Sequence, residues 1–152
     1  SQETPMLKLI SSSDSWHLFK DDPVRPHLSA LFRPAPGREA FVLEDDLTGK
    51  PRAVICVAYT NQVPQDEREL DYFSQAAHQE DEQGSIAVFY TVWSYDRGAG
   101  REIVFAAQDH TQARGCTRWV TLSPLTDMAE RFHTKNGAVL HSRHSTCQNF
   151  EY

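Results

Sequence analysis

The pattern of apolar positions changes near residue 37. Before it no period is visible, and prolines at 23, 26, 34 and 36 interrupt each apolar run. That region is expected to form short helices at Asp14–Lys20, capped by Ser13 or Asp14, and at 27–32, joined by turns and packed on a sheet. After Gly37 the pattern sharpens. Ala40–Leu43 and Arg52–Thr60 are β-rich runs around turn residues Asp45, Asp46, Gly49 and Pro51, which predicts an antiparallel hairpin. A helix is expected over 68–77, carrying Leu70, Tyr72 and Phe73, and then an acidic exposed turn over 78–84. Ser85–Tyr95 is apolar almost throughout, as a central strand covered on both faces would be. Ile103, Ala106, Ala107 and His110 then fall on one helical face that ends by Gly115. A strand is expected over 117–122 and a second helix through Leu125, Met128, Ala129 and Phe132. Strands over 138–141 and 147–152 close the pattern. This order predicts an α/β (α+β) mixed sheet flanked by helices in a single domain spanning 1–152, residues 1–36 being its irregular and helical part.

Composition narrows the function. A length of 152 residues, 39% hydrophobic and 24% charged, describes a globular domain and contains no membrane-spanning run. The first residues lack the order of a secretion signal, and a cytoplasmic protein is expected. A net charge of −6 argues against a surface that tracks nucleic-acid phosphates. Cys56, Cys116 and Cys147 are widely spaced and odd in number, the pattern of buried free thiols in a reducing compartment. The histidines are scattered, and His141 with His144 lack further ligands nearby, so no metal site is expected.

The strongest local feature is Arg97-Gly98-Ala99-Gly100-Arg101, between the long strand and a helix. Glycines let the backbone turn tightly and aim unpaired N–H groups at one point. The helix start adds partial positive charge, so phosphate is stabilised there. The same residues also suit an ordinary strand-to-helix turn.

In this order of elements the segment resembles the pyrophosphate loop of the GNAT superfamily of acyl-CoA-dependent acyltransferases, Gln/Arg-x-x-Gly-x-Gly/Ala. Arg97 and Gly100 match, Gly98 is an extra glycine, and Glu102 stands where a small residue is expected. Within that superfamily the C-terminal half is most similar to the catalytic domain of malonyl-CoA decarboxylase. The similar segments are Ala87–Val92, Val120-Thr121-Leu122-Ser123-Pro124, Arg131-Phe132-His133-Thr134-Lys135-Asn136-Gly137-Ala138 and Asn149-Phe150-Glu151-Tyr152, with Arg52–Thr60 matching more loosely. The resemblance implies a catalytic pair, Ser123 and His133. It implies that Val92, Arg97, Gly98, Ala99, Gly100 and Arg101 hold a coenzyme A thioester, and that Asn136 and Tyr152 are candidate substrate contacts. Only nine residues separate Ser123 from His133, where that family carries a long insertion, so a more open site is expected.

Read without the family, Ser123-Pro124 suits a helix N-cap followed by proline at the first helical position. His133 would then lie about 15 Å along the same helix and could not reach Ser123. Contact requires Ser123 to end its strand and the helix to start later, for which Asp127 with Glu130 offers a capping-box variant. If the two meet, imidazole and hydroxyl could serve the decarboxylation of malonyl-CoA or a related malonyl thioester. The alternatives are an N-acetyltransferase moving acetyl from acetyl-CoA to an amine or protein, with Glu67, Asp71 or His110 as base, and a non-catalytic CoA-binding module. The expected partner in every case is a small-molecule acyl-CoA, with no metal, nucleic acid or membrane. Oligomeric state, acyl group and acceptor are not encoded legibly.

Overall fold

The computed structural model describes residues 7–80 and 84–152. Eight strands form one mixed, mostly antiparallel sheet in the order β1-β2-β3-β4-β5-β8-β6, with β7 paired to β8. The strands are β1 (Leu7–Leu9), β2 (Arg38–Glu44), β3 (Pro51–Thr60), β4 (Ile86–Ser94), β5 (Arg118–Thr121), β6 (Ser123–Pro124), β7 (Val139–Arg143) and β8 (Cys147–Glu151). The helices are α1 (Glu67–Gln79), α2 (Ala99–Ala113) and α3 (Asp127–Lys135).

Side-chain alternation in the central strands splits the core in two. Val54, Cys56, Ala58, Val88 and Tyr90 face one side, under α1 and the N-terminal segment. Ile55, Val57, Ala87 and Phe89 face the other, under Ile103, Val104 and Ala107 of α2. Near-continuous hydrophobicity in β3 and β4 is the consequence of covering both faces. Asp66 caps α1, its side chain accepting from Glu69 N at 2.9 Å, while Glu69 Oε1 accepts from Gln65 N at 2.9 Å.

The N-terminal segment departs from expectation. A 3-10 helix spans Ser13–Asp21 without a side-chain cap, and 27–32 forms turns instead of a helix, because Pro26 and Pro34 leave too few residues for a stable α-helix. β1, short and mostly exposed, was not legible in the sequence. The segment adds Ile10, Leu18 and Phe19 to the core and buries charged groups beside them. Arg33 is fully buried and donates to Asp22 Oδ2 at 2.8 Å, and Asp22 Oδ1 accepts from Val24 N and Arg25 N at 2.8 and 2.9 Å. The acidic turn expected over 78–84 begins only after α1, and residues 81–83 lie outside the described residues.

Two irregularities open the sheet. Cys56 pairs with Thr91 but Val57 pairs with Phe89, so Tyr90 is an extra residue in β4. This β-bulge shifts the alternation: Tyr90 and Trp93, three residues apart, belong to the same core. Beside it, the parallel register of β4 and β5 ends at Phe89 and Thr121. β4 runs on to Ser94 while the chain after β5 crosses to β8, Ser123 pairing with Gln148.

Candidate functional site

A cavity of about 360 Å³ lies where β4 and β5 part. Phe89 to Ser94 line it on the β4 side, Leu122, Ser123, Phe132 and His133 on the other, and Gly100, in the first turn of α2, also lines it. Arg25 reaches the parting from the N-terminal segment and donates to the bulge carbonyl, Tyr90 O. Asn149 Nδ2 donates to Thr121 O at 2.8 Å and to Pro64 O at 2.9 Å. Two side chains thus satisfy backbone carbonyls that the broken ladder leaves unpaired.

Ser123 opens the short strand β6, two residues after β5 ends, and does not cap a helix. The N-cap of α3 is Thr126, whose side chain accepts from Ala129 N at 3.2 Å, not Asp127 as the capping-box variant required. With the helix starting later, Ser123 and His133 both line one cavity. Each has its own partner. Ser123 is 3% exposed and its Oγ lies 2.8 Å from Thr121 Oγ1. His133 is 7% exposed, and its Nδ1 lies 2.7 Å from the Tyr152 hydroxyl. Among the described residues no hydrogen bond joins Ser123 to His133. The α3 face expected to be apolar is also different: Leu125 precedes the helix, Met128 is exposed, and His133 is the helix's buried residue.

Burial lowers the His133 pKa to about 4, so the ring is neutral at neutral pH. Burial pushes the Tyr152 phenol up, so it keeps its proton. A phenol is a better donor than acceptor. Tyr152 O–H donating to Nδ1 then fixes the tautomer with the proton on Nε2.

The glycine turn is built as the sequence suggested, for partly different reasons. Gly98 precedes α2 at φ +84°, a conformation that favours glycine. Gly100 packs closely, since a Cβ there would stand 3.3 Å from Phe132 Cε1 and the ring would have to give by a few tenths of an ångström. Val92 is half-buried on the cavity wall, Ala99 is buried and Arg97 is exposed. Arg101 stacks on Phe105 and donates to Asn136 Oδ1 at 3.2 Å, bringing two of the expected site residues together. Glu102 is held by Arg52 through two bonds of 2.8 and 3.0 Å, an ion pair that lowers its pKa and offsets its charge beside the loop.

The candidate bases for acyl transfer lie elsewhere. Glu67 pairs with Arg25 and His27, Asp71 with Arg38, and His110 packs on Phe41. None lines the cavity. Thr91 does, with its Oγ1 buried and without a hydrogen-bond partner; Thr91 and Thr121 both lie in the segments similar to the family, but neither was given a role from the sequence. The cysteines are buried and free. Among the described residues no three His, Cys, Asp or Glu side chains cluster as metal ligands, and no helix is long and apolar enough to cross a membrane.

No protein-family model matches the chain, and no curated protein matches it. Solved structures do. A malonyl-CoA decarboxylase from Agrobacterium vitis superposes with a TM-score of 0.59 at 18% identity over 85% of this chain and 35% of its own. A Bacillus subtilis acetyltransferase in complex with CoA gives 0.62 at 8% identity, covering 97% of this chain and 95% of the other. A probable acetyltransferase from Staphylococcus epidermidis gives 0.63 at 10%, covering 97% of each chain. The chain has the GNAT fold. It spans about a third of the length of the malonyl-CoA decarboxylases it resembles. At such identities the likeness establishes the fold alone.

Proposed function

We propose that this GNAT-fold domain binds a coenzyme A thioester and decarboxylates a malonyl group, with Ser123 and His133 as donors to the developing anion. The observation that carries this reading is that one cavity wall holds both side chains and no carboxylate. The thioester would thread between β4 and β5, with Val92 along the pantetheine. Its pyrophosphate would meet the backbone of 98–100 and the Arg97 and Arg101 side chains. Asn136, bonded to Arg101, would sit beside that path.

In the reaction the bond between the α-carbon and the carboxylate breaks and CO2 leaves. The bonding pair moves to the thioester oxygen as an enolate. The α-carbon then takes a proton that comes from water. Charge grows on an oxygen between walls built mostly of apolar side chains, where preorganised donors act strongly. A neutral imidazole with its proton on Nε2 suits that task, because it donates without having to lose a net charge. The Ser123 hydroxyl would be the second donor, and Tyr152 would keep the imidazole in the required tautomer.

The second reading, acetyl transfer to an amine or a protein, draws on the acetyltransferases that share the fold over their whole length. It requires a base beside the acceptor, and a buried imidazole with a pKa near 4 is a weak one. A third reading, a CoA-binding module without turnover, needs neither donor. Separate incubations with malonyl-CoA, and with acetyl-CoA plus an amine, followed by mass analysis, distinguish the three. Release of CO2 with formation of acetyl-CoA is expected, falling about 100-fold or more in Ser123→Ala and His133→Ala. Amine-dependent loss of acetyl-CoA without decarboxylation would replace this reading with the second, and binding of CoA with no turnover would replace it with the third.

A further inference from the structure

We propose that Thr121 is a positioning residue whose hydroxyl aims the Ser123 proton into the cavity, making Ser123 a hydrogen-bond donor and not a nucleophile. The proposal rests on the reading of Ser123 as a group that meets the substrate. It follows from counting protons. Thr121 is fully buried. Its Oγ1 accepts the Phe150 N–H at 3.1 Å and lies 2.8 Å from Ser123 Oγ. Each hydroxyl has one proton to give. If Ser123 donated to Thr121, Oγ1 would accept twice and the Thr121 proton would be left in packed interior without an acceptor. If Thr121 donates to Ser123, the one unpaired proton belongs to Ser123, on the cavity wall, where water or a substrate oxygen can accept it. An unpaired donor sealed in the interior is the costlier arrangement, so the second prevails.

The resulting chain runs one way, from Phe150 N–H to Thr121 O–H to Ser123 O–H, and each bond polarises the next. No base accepts the Ser123 proton: among the described residues Thr121 is its only hydrogen-bond partner. A site built this way favours a substrate that presents an oxygen carrying or gaining negative charge, and it does little for one that must first lose a proton. The same end of the chain serves both donors. Phe150 N–H anchors the Ser123 chain, the Phe150 ring stacks on His133 at 5.7 Å, and Tyr152, two residues on, holds the imidazole.

The test compares wild type, Thr121→Val and Thr121→Ser. With malonyl-CoA, Thr121→Val is expected to lower kcat about tenfold or more while KM stays within about twofold, and Thr121→Ser to restore kcat. A folded Thr121→Val protein with wild-type kcat would overturn the proposal. A second readout needs neither turnover nor a variant. In the wild-type protein, proton NMR should find the Thr121 hydroxyl proton in slow exchange with solvent and that of Ser123 averaged with water; the reverse pattern would overturn the proposal. Should the wild type fail to decarboxylate malonyl-CoA, the function proposed above falls, and the NMR result still decides the direction of the Thr121 bond.

Discussion

His133 and Tyr152 lie 2.7 Å apart, Nδ1 to hydroxyl, although one sits on α3 and the other just beyond β8. The contact gives a buried ring a fixed tautomer and leaves its second nitrogen without a hydrogen-bond partner among the described residues. Tyr152→Phe keeps the packing against Phe105 and removes only the hydroxyl. Decarboxylation is expected to fall about tenfold in kcat with KM nearly unchanged, measured by steady-state kinetics; an unchanged kcat would remove Tyr152 from the mechanism.

The same burial makes stability depend on pH. His133 titrates near 4 in the folded chain and near 6.5 when unfolded. The unfolded state therefore takes up a proton first as pH falls, so stability begins to drop below about 6.5 and stops dropping from this source below about 4. The total is about 3 kcal/mol. Urea unfolding at pH 7 and pH 4.5 should show a smaller difference for His133→Asn than for wild type. Equal differences would mean the ring titrates normally.

Arg52 and Glu102 form a bidentate pair beside the start of α2. Arg52→Ala would leave an uncompensated carboxylate near the expected phosphate path. KM for the thioester should rise about two- to fivefold, more at low salt, and Glu102→Gln in the same chain should reverse the rise. A KM that ignores both changes would move the phosphates away from this helix start.

Asp22 neutralises the fully buried Arg33. Asp22→Ala strands a charge in the core and should cost about 3–5 kcal/mol in chemical denaturation, whereas replacing both residues by apolar ones should cost much less. A mild effect of the single change would mean that water reaches Arg33.

Reading the chain as a sequence went furthest where burial is two-sided. β3, β4 and α2 follow from runs such as Ile86–Trp93 and from Ile103, Ala106 and Ala107, since each must hide apolar surface whatever its neighbours are. It went least far in the N-terminal segment, where the charged Asp22, Arg25 and Arg33 are buried beside Ile10, Leu18 and Phe19. Charged residues are ordinarily read as surface, and only their mutual pairing allows them inside. Likewise Thr126, not Asp127, caps α3, because several residues near that point could cap and packing alone chooses among them.

The order of the main strands and helices after residue 37, the glycine turn into α2 and the two motifs around Ser123 and His133 were determined by the chain itself, through local propensity and periodicity that act over a few residues. Whether those motifs meet was decided in three dimensions. The bulge at Tyr90, the end of the β4 and β5 register at Phe89 and Thr121, and the partners of Ser123 and His133 all depend on contacts between residues far apart in the chain. A hydroxyl's direction and an imidazole's charge are set by what surrounds them, and that environment exists only once the sheet has closed around the site.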